Sequence, residues 1–78
     1  RRAFGYLPRL HFKESDQVVK IFNEETNEMV KSLRVKGNEY IPPVYSLAKH
    51  TLVIGEGKNE KVIKSVEIST DPKEVMEV

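Results

Sequence analysis

Apolar and polar residues alternate along most of this chain with a period near two. That is the spacing of half-buried β-strands rather than of amphipathic helices. Leu10-His11-Phe12-Lys13 opens the pattern, and residues 18–22 repeat it with Val19 and Ile21 on one face and Val18, Lys20 and Phe22 on the other. Residues 29–35, 51–54 and 62–68 supply three further runs rich in β-branched side chains. Two hairpins follow from this, because pairs of such runs are joined by short polar turns. Residues 18–22 and 29–35 flank Asn23-Glu24-Glu25-Thr26-Asn27, and residues 52–54 and 62–68 flank Gly55-Glu56-Gly57-Lys58-Asn59. Asn27 suits the left-handed position that closes the first turn, since Asn tolerates positive φ better than other residues with a side chain beyond glycine. The apolar phase changes between Val30 and Leu33, which predicts a β-bulge near Lys31-Ser32, and it slips again in the last run.

Breakers divide the rest. Gly5 and Pro8 punctuate an irregular opening, Lys36-Gly37-Asn38 turns the chain, Pro42-Pro43 ends a short segment at Glu39-Tyr40-Ile41, and Asp71-Pro72 closes the patterned region. The expected organisation is a lead-in or linker over residues 1–8, a single β domain over 9–70 and a tail over 71–78. The fold class expected is all-β, a six- or seven-stranded antiparallel sandwich of immunoglobulin-like or prealbumin-like type. Its core draws on Leu10, Phe12, Val19, Ile21, Val30, Leu33, Val35, Leu52, Ile54, Val62, Val66 and Ile68.

Composition narrows the function classes. Seventy-eight residues make one small domain, and the absence of Cys removes disulfide staples and thiolate metal sites. Thirteen basic against twelve acidic side chains leave a net charge of +1, which argues against a nucleic-acid surface. No apolar stretch approaches the roughly 20 residues of a membrane span, so no membrane insertion is expected. Arg1-Arg2-Ala3-Phe4 carries a twin-arginine pair, but the apolar region of an export signal does not follow it.

Candidate chemistry is sparse. His11 and His50 are the two histidines, and both read as outward, solvated strand positions. The serines lie in no nucleophile elbow, Glu24 and Glu25 sit at a hairpin tip, and Gly55-Glu56-Gly57 lacks the helix that a phosphate cradle needs. No catalytic, cofactor-binding or metal-ligating residue is expected, and the domain alone is not expected to be an enzyme. What remains is aromatic. Tyr40 and Tyr45 flank Pro42-Pro43 and form a candidate ligand rim, whereas Phe4 and Tyr6 lie in an apolar lead-in suited to a contact with a neighbouring domain.

The order of motifs adds a resemblance. Leu7-Pro8, Leu10 and Phe12, then Val18-Val19 and Ile21, Glu25-Thr26-Asn27-Glu28, Leu33-Arg34-Val35, Ile41-Pro42-Pro43-Val44 and Thr51-Leu52-Val53-Ile54-Gly55-Glu56 follow one another along residues 7–69. This resembles the carboxyl-terminal accessory β-sandwich modules of secreted bacterial hydrolases, in particular phosphodiesterases and metallophosphoesterases of the alkaline phosphatase D type. Asn27 stands where those modules commonly carry a turn glycine, and Lys49-His50-Thr51 where they carry Gly-x-Tyr-Thr. A second, local likeness is to a small flagellar accessory family whose hairpin also reads Glu-x-Thr-Asn-Glu-x-Val. The first resemblance implies a non-catalytic module that packs against or spaces a hydrolase domain of the same parent chain, in an extracellular or periplasmic setting. It carries over no catalytic or metal residue. The alternative is an autonomous carbohydrate-binding module.

Overall fold

Strand β3 (Gln17–Asn23) is the spine of the structure, because it is paired along both edges and presents Val19 and Ile21, both fully buried, to the core. It runs antiparallel to β4 (Glu28–Val35) on one side and to β7 (His50–Ile54) on the other, and β7 pairs in turn with β8 (Lys61–Val66). The four-stranded sheet therefore has the order β4-β3-β7-β8, and both hairpins expected from the sequence are present in it. The computed structural model describes residues 4–71 and 73–78, so Arg1, Arg2 and Ala3 of the lead-in and Pro72 of the tail lie outside the described residues.

The remaining strands are short: β1 (Gly5–Tyr6), β2 (Arg9–His11), β5 (Glu39–Tyr40), β6 (Pro43–Val44) and β9 (Val75–Glu77). They form a three-stranded sheet of order β5-β2-β9 and a two-stranded ribbon of β1 with β6. One core cluster joins all of this. Leu7, Leu10 and Phe12 come from the β1–β2 region, Val44 from β6, and Val19, Ile21, Val35, Leu52, Ile54 and Val66 from the four-stranded sheet.

The fold is all-β, as the alternation indicates. Nine strands are seen among the described residues, because pairs of residues in the lead-in and around Pro43 also join ladders, and the β2–β9 pairing is parallel. Residues 71–78 were expected to be a tail. Instead Arg9, Leu10 and His11 lie opposite Val75, Met76 and Glu77, and Val78 N–H donates to the His11 carbonyl at 3.0 Å. The reason is that β2 has one edge free beside β5, and Met76 and Val78 reach the core cluster from that edge.

Both phase slips are bulges. Ile21 faces Lys31 but Phe22 faces Met29, so Val30 is the extra residue of β4, one position before the expected Lys31-Ser32. In β8, Leu52 faces Ile63 while His50 faces Val66, and Ser65 inside the bulge takes φ 58°. That second bulge explains the one expected core residue that is exposed. Ile63 and Val66 turn inward on either side of it, whereas Val62 faces outward opposite Val53 and is 52% exposed. Val30, Leu33 and Ile68 are partly buried against the core, and Leu7 and Val44 join it unforeseen.

The turns carry the expected left-handed residues: Asn27 sits at φ 61° and closes the first hairpin by donating its N–H to the Asn23 carbonyl at 2.7 Å. Gly55 opens the second turn at φ 101°, where an added Cβ would lie 2.8 Å from the Asn59 carbonyl oxygen. Gly55→Ala is therefore expected to cost about 2–3 kcal/mol, combining positive-φ strain with a backbone clash. Gly37→Ala, with open space around the new methyl, should change stability by no more than about 0.5 kcal/mol. Urea unfolding of the two variants checks both values, and equal costs would refute the assignment.

Candidate functional site

The four aromatic residues singled out in the sequence separate into two places. Phe4 and Tyr6 are held by main-chain bonds that leave their rings free to project: Phe4 N–H donates to the Val44 carbonyl at 2.8 Å, and the Tyr6 carbonyl accepts from Ser69 N–H at 2.8 Å. Two positions apart, they share a face, 60% and 52% exposed, and Ile41 is 43% exposed. Gly5 between them faces the core side, where a Cβ would meet the Ile68 side chain at 3.2 Å. Tyr6, Leu7, Arg9, Ile41, residues 69–71 and Glu74 line a groove of about 340 Å³.

Tyr40 and Tyr45 do not form a shared exposed rim. The Tyr40 ring packs on the core cluster, its hydroxyl is buried without a hydrogen-bond partner, and burial pushes the phenol pKa upward. Tyr45 lines a different cleft. β6 ends at Val44, and an irregular segment over residues 45–49 carries the chain to β7, so a cleft of about 470 Å³ opens between this segment and the end of the β3–β4 hairpin. Asn23, Glu28, Met29, Val30, Tyr45, Ser46 and His50 are among its walls.

His50 is the residue that sequence reasoning misplaced. Expected as solvated, it is 1% exposed, and neither ring nitrogen has a hydrogen-bond partner. The signal was present in the alternation, because His50 shares the inward parity of Leu52 and Ile54. Above it the polar residues of the cleft are organised. Asn23 Nδ2 donates to Ser46 Oγ at 3.2 Å, Ala48 N–H donates to the same oxygen at 3.3 Å, and Asn23 Oδ1 accepts from the N–H groups of Glu25 and Thr26.

Glu24, placed at a hairpin tip by the sequence, is instead a tie between the two hairpins. Its carboxylate accepts from Thr51 Oγ1 at 2.7 Å and from Ser65 N–H at 2.6 Å, and its own N–H donates to the Lys49 carbonyl at 3.0 Å. The hydrogen bond from Thr51, followed by that from the Ser65 amide, lowers its pKa below the ordinary value of 4.5. His11 is half-exposed on β2, and its Nδ1 lies 2.8 Å from Glu77 Oε1 on β9. That hydrogen bond, with the charge of Glu77, raises the His11 pKa above 6.5. Among the described residues no group of three or more His, Cys, Asp or Glu side chains is placed to hold a metal ion.

No family model matches the chain, and neither a curated protein nor a solved structure is significantly similar to it.

Glu24 and His11 give opposite pH dependences. Glu24 has a lowered folded pKa, so its contribution is present above about 4.5 and is lost as pH falls through the folded value. Urea titrations of wild type and Glu24→Gln should therefore converge on acidification through that range. His11 has a raised folded pKa, so the pair with Glu77 stabilises fully below about 6.5 and fades as pH rises through the folded value. Glu77→Gln should reduce stability at pH below 6.5 and have little effect at clearly alkaline pH; a variant effect independent of pH would contradict the ion pair.

Proposed function

We propose that this domain is a non-catalytic accessory module of a larger hydrolase chain, acting in domain packing or spacing. The observation that carries this reading is the exposed apolar patch of Phe4, Tyr6 and Ile41 on the β1–β6 side. Large apolar rings held outward on a hydrogen-bonded ribbon lose little conformational entropy on being covered, which suits them to an interface. A neighbouring domain tethered ahead of residue 4 would lie within reach of the patch. Arg9, Asp71 and Glu74 are among the lining residues of the groove next to the patch, which supplies polar groups of both charges. The likeness of the motif order to modules appended to secreted bacterial phosphodiesterases and metallophosphoesterases supplies the class of parent chain, and with it an extracellular or periplasmic setting.

The carbohydrate-binding reading rests on a different observation, the cleft at Tyr45, which shares no lining residue with the groove at Tyr6.

Hydrogen exchange of the isolated domain against the same domain in its full-length chain tests the docking reading. Amides of residues 4–7 and 41 should exchange more slowly in the longer chain. Phe4→Ser with Tyr6→Ser should remove that protection while leaving the isolated domain's melting temperature within a few degrees of wild type, about the effect of exposed substitutions. Equal exchange in the two contexts, or phosphodiester hydrolysis by the isolated domain, would overturn it.

A further inference from the structure

Around His50 several local departures from regular β-structure coincide. The Val30 bulge of β4 lines the cleft, the bulge of β8 falls between the partners of His50 and Leu52, and Ser65 within it is left-handed. Bulges and left-handed residues other than glycine re-aim side chains and gather beside binding sites. Between them lies a histidine 1% exposed whose two ring nitrogens have no partner, in a class of buried polar group that is ordinarily satisfied.

The surrounding chemistry defines what would satisfy it. A neutral imidazole offers one donor and one acceptor. Ser46 Oγ already accepts from Asn23 Nδ2 and Ala48 N–H, so its hydrogen is left to donate. Glu28 supplies a carboxylate to the lining, and among the described residues no lysine or arginine lines the cleft, which disfavours anions. Met29, 52% exposed, and the ring of Tyr45 supply apolar surface. A molecule that both donates and accepts through hydroxyls, and also has an apolar face, matches this set.

We propose that the cleft between the β3–β4 hairpin end and the 45–49 segment binds a neutral sugar ring, with one ligand hydroxyl seated between Ser46 and His50 and the apolar ring face against Tyr45 and Met29. His50 lines the cleft but both of its ring nitrogens are buried, so binding in this way requires them to become accessible as the hydroxyl enters. This site is independent of the docking patch.

The test is an NMR titration of ¹⁵N-labelled protein with the methyl glycosides of glucose, galactose, mannose and xylose, read at the His50 ring nitrogens and at the amides of Asn23 and Ser46. At least one glycoside is expected to shift these signals saturably while the amides of Tyr6 and Ile41 stay unmoved. His50→Phe, which keeps a ring in place, should weaken that binding at least about tenfold. If this variant loses the wild-type amide pattern, Ser46→Ala replaces it with the same expected loss. No saturable change with any of the four sugars, shifts confined to the Tyr6 groove, or unaltered affinity in the folded variant would overturn the assignment.

Discussion

The structure depends on one shared face, where Val19 and Ile21 of β3 lie level with Leu52 and Ile54 of β7 and close over Leu7, Leu10 and Phe12. A small domain without disulfides has little else to hold it together, because short chains bury a low fraction of their surface. Each fully buried aliphatic or aromatic side chain contributes about 1.5–3 kcal/mol by removal from water. The exposed ion pairs, such as Arg34 with Glu56 at 2.9 Å, contribute little beside that. The register of β3 against β7 is thereby fixed, since a one-residue slip would turn the inward pair of the slipped strand out to solvent.

The bulges are consequences of that constraint. The outer strands β4 and β8 must follow the twist of the paired centre while still delivering Leu33, Val35, Ile63 and Val66 to the inner side. An extra residue in each resolves the conflict, and each is accommodated differently. In β4 the bulged Val30 packs against the core. In β8 the left-handed Ser65 is secured from outside, by Glu24 of the other hairpin accepting its N–H. The carboxylate thus offsets part of the backbone strain, which is why a residue at a turn has a partly buried hydrogen-bonding role.

How far the sequence could be read follows from the range of each signal. Alternation and turn chemistry are local, so the two hairpins, Asn27 and the inward positions of Leu10, Phe12, Val19, Ile21, Val35, Leu52 and Ile54 were legible. The ladder partners of β1, β2 and β9 were not, because two- and three-residue strands have no period to detect and are defined only by the edge they meet. Tyr40 and Tyr45 looked equivalent on either side of two prolines, yet one packs on the core and the other lines a cleft. Their separation depends on how β5 lies against β2, a contact 30 residues apart in the chain (Leu10 to Tyr40). His50 was misread for another reason. Its polarity favours the outside while its parity places it inside, and parity is the stronger constraint wherever neighbours two and four residues on are core residues.

That misreading bears on function. Leucine or phenylalanine at position 50 would extend the Leu52–Ile54 face without leaving polar atoms unpartnered, and an unsatisfied buried donor or acceptor costs about 1–3 kcal/mol. A domain with so thin a stability margin carries that cost beside two bulges and a left-handed serine, at one end of its sheet. Two departures lie elsewhere, the buried Tyr40 hydroxyl and the left-handed Asp16, but neither has a second one beside it. Several departures gathered around one residue are the physical mark of a surface shaped by something other than stability. The Phe4–Tyr6 patch is the opposite case. It breaks no rule of folding and leaves no polar group unsatisfied, and its only anomaly is exposed apolar area, which a neighbouring domain would relieve by simple coverage.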